Sequence, residues 1–600
     1  MKVLGISAYY HDSAAAVIMD GKVLYAAQEE RFTRIKNDAS FPEQAIKFCL
    51  LESGFDIAEI EVIAFYDKPF LKFERLLETY YAFAPKGFKS FVKAMPVWLK
   101  EKLFIKQFIR KRLKQLYDNS DISKIEIVFP EHHLSHIASA FYTSAFSKSA
   151  FLTVDGVGEW TTTSYGMACG EKGIEIMGEL QFPDSIGLLY SSFTYFLGFE
   201  VNKGEYKMMG LAPYSHIGSS RVQQFIDLIK EKLVDIREDG SIKLNSAFFE
   251  FPVGLRMVDP KKWESLFEIK KRENDDSLEQ VHADLALAAQ KVLEEILIRM
   301  IKHVKHQTNA EFLCLAGGVA LNCVANSAIF DQNIFRDIHI QPAAGDAGGA
   351  IGSALIANYL KTGQRFKGLE QPFDNYLGPE YSNQEIERML RKHQCEYEYF
   401  ESSEDLYQTT ARYISNKKVV GWFSGRTEFG PRALGNRSIL ADAGDPEMQS
   451  KLNLKIKFRE SFRPFAPAVC EEDYSSYFEP GKQSYYMLFT NQLKQSLRNE
   501  LPDDFETLSI EEKRNFVKSS LPAVTHTDFS ARVQVVKKTI NPRFWNLIQA
   551  YKKLTGRAVI INTSFNVKDE PIVNTPENAY LCFMNSGMDI LVIENYLIKK

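Results

Sequence analysis

Apolar and polar positions in the first 180 residues form one pattern that occurs twice. Residues 2–7 read as a strand, and Ala8-Tyr9-Tyr10-His11-Asp12-Ser13 as a polar loop. Residues 14–19 and 22–27 then flank Asp20-Gly21, a dipeptide that turns hairpins. The order returns further on. Residues 151–154 are strand-like, Asp155-Gly156-Val157-Gly158-Glu159-Trp160 is a loop, and 161–168 and 173–180 flank Cys169-Gly170-Glu171-Lys172. Two such units separated by helices predict an internally duplicated α/β domain. Actin-like and sugar-kinase-like ATPases are built this way, with the two loops facing each other across a nucleotide cleft; that step is fold analogy.

Between the repeats lies Glu131-His132-His133-Leu134-Ser135-His136. In a helix, His132 and His136 sit one turn apart on one face, the spacing at which two imidazoles grip one metal. Asp155, at the end of a buried strand beside glycines, can reach the same ion. Two His and a carboxylate leave open positions for a substrate. The plainer reading is two helix histidines, one in the core and one in solvent. Residues 278–305 have helical periodicity, and 312–315 form a strand leading into Gly317-Gly318-Val319-Ala320-Leu321-Asn322. A strand running into Gly-Gly and a helix start exposes backbone N–H groups to a phosphate, although glycine pairs also serve plain tight turns. Residues 339–342 lead to Gly345-Asp346-Ala347-Gly348, which makes Asp346 a candidate fourth ligand. Lys207, before the turn Gly210-Leu211-Ala212-Pro213, suits either a phosphate or an ordinary surface loop.

The apolar periodicity stops around 362–383, which places a domain boundary near residue 370 and gives domains 1–369 and 370–600. A strand at 419–423 then opens a run containing Arg426, Gly430, Arg432, Gly435 and Arg437. Arginines among turn-forming glycines are poor core material, and their planar forks match phosphate and carboxylate oxygens. Lys455, Lys457, Arg459 and Arg463 follow, then Arg532, then a strand at 558–561 ending in Asn562-Thr563-Ser564-Phe565-Asn566. The set fits a triphosphate or acyl-phosphate site better than a basic surface patch, which does not explain the interspersed glycines.

Composition narrows the choice. At 600 residues the chain holds two or more domains, with a net charge of −4 that argues against a dedicated nucleic-acid binder. Seven widely spaced cysteines form no C-x-x-C pair, so neither a disulfide framework nor a zinc ribbon is suggested, and a reducing cytoplasm fits. The N-terminus reads as a strand, not a signal peptide, and no apolar run is long enough to span a bilayer. One stretch departs from the average. Between 86 and 114, ten Lys and Arg residues face only Glu101, with Phe88, Val92, Trp98, Phe104 and Phe108 interleaved. Such a stretch binds membranes, anionic substrates or a partner, or is a helical insertion with a solvated basic face.

Taken together, these motifs resemble the O-carbamoyltransferases of the NodU/CmcH family along nearly the whole chain. The resemblance rests on His11-Asp12-Ser13, His132 to His136, Val154-Asp155-Gly156, Lys207 to Pro213, Gly317 to Asn322 and Gly345 to Gly348. In the second half it rests on Phe429 to Ser438, Arg463-Pro464-Phe465-Ala466-Pro467 and Asn562 to Asn566. It implies an α/β protein with an N-terminal actin-like metal- and nucleotide-binding domain and a C-terminal YrdC-like domain with a mixed twisted sheet. The C-terminal half would make carbamoyl-adenylate from ATP, with magnesium, and carbamoyl phosphate, and release pyrophosphate. The N-terminal half would pass the carbamoyl group to a hydroxyl of a sugar or other small-molecule acceptor. Carried over residue by residue, His132, His136, Asp155 and Asp346 hold a divalent metal, iron(II) in the family, although zinc or manganese also suits such ligands. Arg532, Asn562 and Ser564 hold carbamoyl phosphate or the adenylate, and Arg432, Arg437, Lys457 and Arg459 meet phosphates. Lys207, Gly210, Gly317, Gly318 and Asn322 line the nucleotide side. His11 or Asp12 would deprotonate the acceptor, the alternative for His11 being a structural hydrogen bond. One departure stands out: Asp569 precedes Glu570-Pro571 where the family usually has glycine.

A tRNA-modifying threonylcarbamoyl enzyme shares both domain types, but the fused chain and acidic balance count against it. A hydrogenase-maturation carbamoyltransferase would carry C-x-x-C zinc fingers. A non-catalytic ATP-binding scaffold leaves the run from Arg426 to Arg437 and the four-ligand set unexplained.

Overall fold

Strand β1 (Lys2–Ser7) is apolar because it lies inside a sheet covered on both faces. It pairs antiparallel with β2 (Ala14–Met19), which turns back through Asp20-Gly21 into β3 (Lys22–Gln28). On its other edge β1 runs parallel to β4 (Val62–Phe65), and β4 runs parallel to β5 (Glu126–Val128). The sheet order is β3-β2-β1-β4-β5. Helix α1 (His132–Phe141) follows. The second sheet then repeats the first. β6 (Lys148–Val154), β7 (Thr161–Cys169) and β8 (Gly173–Gln181) form the antiparallel meander. β9 (Phe312–Ala316) lies parallel to β6, and β10 (Asp337–Ile340) parallel to β9. The order β8-β7-β6-β9-β10 has the same pairing senses, strand for strand. The duplication anticipated from the sequence is therefore present, and each repeat delivers a polar loop from the end of its first strand.

Small residues bring the parts together. Helix α2 (Gly348–Thr362) is rich in glycine and alanine and buried along most of its length. A Cβ on its Gly352 would stand 1.8 Å from the carbonyl oxygen of Ser135 in α1, and one on Gly5 of β1 would stand 1.9 Å from that of Ala350. The helix is thus held between β1 and α1 at distances only glycine permits. Asp346, two residues before α2, is thereby set beside the histidines of α1.

The described residues are 1–98, 104–118, 120–274 and 276–600 of this computed structural model. Lys100, Glu101, Lys102 and Leu103 of the basic stretch lie outside them. The chain divides into two units: Met1–Glu29 with Ala39–Phe373, and Glu30–Asp38 with Asp374–Lys600. The sequence pattern gives no sign that residues 30–38 belong to the second unit.

That second unit is built on an eight-stranded mixed sheet. Its central strands are β11 (Val420–Phe423), β12 (Arg437–Asp442), β13 (Ala466–Cys470) and β14 (Val559–Ser564). β12 pairs antiparallel with β11 and β14, and β13 antiparallel with β14. Alternate residues face two cores. Val420, Trp422, Leu440 and Ile560 pack with apolar residues of helices Ser403–Ser415 and Pro542–Thr555. Phe423, Ile439, Ala441 and Ile561 face the other side.

Gly352→Ala tests the close packing. Helix propensity returns only about 0.5–1 kcal/mol for this change, whereas overpacking a core costs about 1–3 kcal/mol. With a backbone oxygen as the obstacle, overpacking should win. A lower urea midpoint at unchanged slope is expected; an unchanged or higher midpoint would show that α2 moves aside freely.

Candidate functional site

Helix α1 presents His132 and His136 on one face, as their spacing requires. Their Nε2 atoms lie 3.0 Å apart. His132 Nε2 is 3.2 Å from Asp155 Oδ2 and 3.6 Å from Asp346 Oδ1, and His136 Nε2 is 4.0 and 3.7 Å from the same two oxygens. Ligand atoms about 2.1 Å from one ion stand about 3.0–4.2 Å apart in an octahedral arrangement. The four groups therefore fit a divalent transition metal, and nitrogen–oxygen donors suit iron, zinc or manganese. His132, His136 and Asp346 are buried, while Asp155 keeps 14% of its side chain exposed and gives the cluster an open side.

The charges are tightly linked. Burial opposes ionisation of Asp155, but the His132 hydrogen bond, both histidine rings and the Gly318 N–H hold it well below the carboxylate range. Asp346 is also held down, at about 2, because His11, His136 and His132 outweigh burial. Burial disfavours charge on His132, yet Asp155 and Asp346 raise its pKa. His133 is the contrast: burial and the two neighbouring histidines push it down, and its Nδ1 meets Ser164 Oγ at 2.9 Å. It is a core histidine.

The loop after β1 brings His11 to the edge of this cluster. Tyr9 and Asp12 both adopt left-handed φ, +74° and +52°. His11 Nδ1 lies 3.0 Å from Asp12 Oδ2, and its Nε2 lies 3.8 Å from Asp346 Oδ2. Burial opposes charge on His11, but Asp346, Asp12 and Asp155 raise its pKa to about 9. Across the cluster, Gly317 takes a φ of +88°, and a Cβ there would stand 2.3 Å from Val154 O. That approach lets the Gly318 N–H donate to Asp155 Oδ1 at 2.9 Å. Asn322 is committed elsewhere: it caps helix Cys323–Phe330 and donates to Gln290 Oε1 at 3.0 Å. Lys207 lies on helix Glu205–Leu211, whose Met209 sulfur meets Cys323 Sγ at 3.9 Å, and Gly210 borders open space. Glu159 escaped the sequence reading. Its carboxylate accepts the His132 N–H at 3.0 and 3.2 Å and the Lys68 N–H at 2.8 Å, anchoring the N-terminus of α1. The signal was a lone acid closing the Asp155 loop.

In the second unit, a network of polar groups gathers along β14. Asn562 donates to Ala433 O at 3.2 Å and to Gln534 Oε1 at 2.6 Å, and Gln534 donates to Leu434 O at 2.7 Å. Arg532 lies two residues before Gln534. Ser564, on the same strand face as Asn562, donates to Asn566 Oδ1 at 2.7 Å. Lys457 is buried against Ser564 O and donates to Asn566 Oδ1 at 2.8 Å; burial and then Arg459 push its pKa far down. Arg459 lies over the Phe465 ring at 4.7 Å and donates to Asn453 Oδ1. Arg432 is partly exposed beside Ala433.

Arg437, expected at a phosphate, is placed otherwise. It is fully buried, stacks 3.6 Å over Phe423, and gives its terminal N–H groups to the carbonyls of Ser424, Gly425, Asn436 and Pro379. Its task is to hold the loop, and burial lowers its pKa to about 10. Glu428 shares that task by accepting the N–H groups of Leu434, Asn436 and Arg437. The 566–571 turn is braced from residues 30–38: Arg34 donates to Ile572 O at 2.6 Å and Pro571 O at 2.8 Å. Asp569 adopts a φ of +63° in that turn, a conformation that glycine takes more readily than a residue with a side chain. Another grouping, Cys470, Glu472 and Asp473, is a weak metal site: burial pushes the Cys470 thiol up to about 12, and Asp473 is paired with Lys552 at 2.6 Å.

The family model described as Carbamoyltransferase N-terminus matches residues 2–355, and Carbamoyltransferase C-terminus matches 411–600. The chain belongs to the carbamoyltransferase family. An uncharacterized protein of Synechocystis sp. is 49% identical over 100% of this chain and 96% of its own length. Nodulation protein NolNO of Sinorhizobium fredii is 36% identical over 99% of this chain and 79% of its own, and Nodulation protein U of the same species 27% identical over 94% of each. Among solved structures, T. kodakarensis HypF aligns at a TM-score of 0.31 and 14% identity over 60% of this chain and 48% of its own, too loosely to carry an argument. The protein is thus a carbamoyltransferase enzyme.

Purified full-length protein should contain about one divalent transition metal per chain. His132→Ala and Asp346→Ala should each lose most of it, and a chelator should lower the melting temperature of the unsubstituted protein but not of the variants. Full metal content in both variants by elemental analysis would remove the cluster from consideration.

Proposed function

We propose that the protein makes carbamoyl-adenylate from carbamoyl phosphate and ATP in its C-terminal, YrdC-like unit, and transfers the carbamoyl group to an acceptor hydroxyl in its N-terminal unit. The observation that carries this reading is the separation of two chemistries within one carbamoyltransferase chain. A His-and-carboxylate centre lies in the first unit, and an amide, hydroxyl and cation network lies in the second.

Water releases phosphate from carbamoyl phosphate and leaves carbamate, whose oxygen attacks the α-phosphorus of magnesium-bound ATP and displaces pyrophosphate. Arg532 and Arg432 hold the charged oxygens through planar forks, and Asn562 and Ser564 orient the carbamoyl group. Lys457, whose pKa burial pushes down, fixes the Ser564–Asn566 turn through its contacts with both side chains. The adenylate supplies a good leaving group and a large handle, so binding far from the reacting carbon can serve the chemical step. Lys207, Gly210 and the Gly317-Gly318 turn receive its nucleotide part.

In the transfer step the acceptor oxygen bonds to the carbamoyl carbon and AMP leaves. His132, His136, Asp155 and Asp346 would hold a divalent metal, iron(II) by resemblance, which supplies Lewis acidity toward a carbamoyl or phosphate oxygen. His11 takes the acceptor's proton, oriented through its Nδ1 contact with Asp12. Neutralising Asp155 and Asp346 would take away two of the three carboxylates that raise the pKa of His11 and leave burial and Asp12 acting on it, so cation binding and base strength are linked. The acceptor is a hydroxyl-bearing sugar or other small molecule.

Two full-length variants separate the steps. Arg532→Ala should stop pyrophosphate release yet still transfer from added carbamoyl-adenylate. His136→Ala should continue to release pyrophosphate, while transfer falls on the order of a thousandfold if Lewis acidity contributes several kcal/mol. Loss of both activities in both folded variants would favour one shared site. Protein that binds ATP and releases no pyrophosphate with carbamoyl phosphate would be the scaffold instead.

A further inference from the structure

Helix Phe88–Val97 is docked by one side only. Its Ser90 is buried and donates to the backbone carbonyl of Val253, and its Phe91 ring meets Tyr80 edge-on at 5.1 Å. The preceding Gly87 is packed so closely that a Cβ would stand 2.6 Å from that of Val253. The opposite side carries Phe88, Val92 and Pro96 in a stripe one turn apart, with Lys89 and Lys93 beside it and Lys86 at its start. Phe88 is 70% exposed and Val92 53%, values at which neither side chain is covered by this chain. Helix Ile105–Leu116 repeats the scheme: Ile105, Ile109 and Leu113 face inward, and Lys106, Lys111 and Lys114 face out. Between Glu78 and Asp118 the sequence holds ten cations and one acid, Glu101. Among the described residues the six exposed lysines make no ion pair.

We infer that the outward faces of helices Phe88–Val97 and Ile105–Leu116 are a docking surface for an anionic lipid bilayer. Charge selects the occupant. Lysine is depleted in the cores of protein–protein interfaces, whereas an apolar stripe fringed by lysines suits a headgroup region, where the stems lie along the apolar boundary and the ammonium groups meet phosphates. No helix among the described residues is long and apolar enough to cross a membrane, so the contact is with the surface. The surface is independent of the two candidate sites, and its test does not depend on the proposed reaction.

The test is co-sedimentation of full-length protein with phosphatidylcholine vesicles made with and without phosphatidylglycerol. Binding is expected to the anionic vesicles alone and should be reversed by high salt. Changing Lys86, Lys89 and Lys93 to Glu should weaken it roughly a hundredfold or more, since each lysine near an anionic surface is worth about a factor of five. Phe88→Asp with Val92→Asp should weaken it at least tenfold, with metal content and melting temperature unchanged. A Phe88→Trp variant should gain emission that brominated lipid quenches. No sedimentation with anionic vesicles, or equal binding to neutral ones, would overturn the inference. So would binding that depends on the lysines and ignores Phe88 and Val92, which would mark a soluble polyanion as the occupant.

Discussion

Two carboxylates share a small interior volume with two imidazoles, and the first unit is arranged around that fact. Asp155 and Asp346 are both held below the usual carboxylate range although burial opposes their charge. A buried charge persists only when paired or coordinated. Here protons on the surrounding rings can balance the carboxylates, or one divalent cation can do so with all four groups as ligands. The cation is the better match, because two histidine Nε2 atoms at 3.0 Å compete for a single bridging proton, whereas one ion accommodates both.

Placing these groups requires the rest of the fold. The duplicated meander brings two strand ends together, one carrying the His11 loop and the other Asp155. The third contribution, Asp346, depends on α2 passing between β1 and α1, which in turn depends on Gly5 and Gly352. Glu159 then fixes the start of the histidine helix. A ligand set spread from residue 132 to residue 346 is therefore held by packing between distant parts of the chain.

Much of this was legible in the sequence because the signals are local. Strand, polar loop and hairpin recur at 2–27 and 151–180 through alternation and turn residues alone, and α1 carries His132 and His136 one turn apart on one face as a helix there requires. What was not legible is tertiary. Nothing in residues 30–38 reports that Arg34 braces a turn at 571–572. An arginine among glycines looks the same whether it meets a phosphate or, like Arg437, backbone carbonyls. Glu159 and Glu428 act on backbone N–H groups, and an acid in a loop does not show in the sequence which N–H groups it will meet. The chemistry of a carbamoyltransferase is written in the motifs, while the parts that hold those motifs in register become visible only in the packed structure.

The central claim is that one metal ion is shared by His132, His136, Asp155 and Asp346. X-ray absorption at the edge of the bound metal tests it most directly in the full-length protein. The account predicts a nitrogen–oxygen shell at about 2.0–2.2 Å with the outer-shell scattering of two imidazoles, reduced to one in His136→Ala. A sulfur shell at about 2.3 Å, or imidazole scattering unchanged by that substitution, would contradict it.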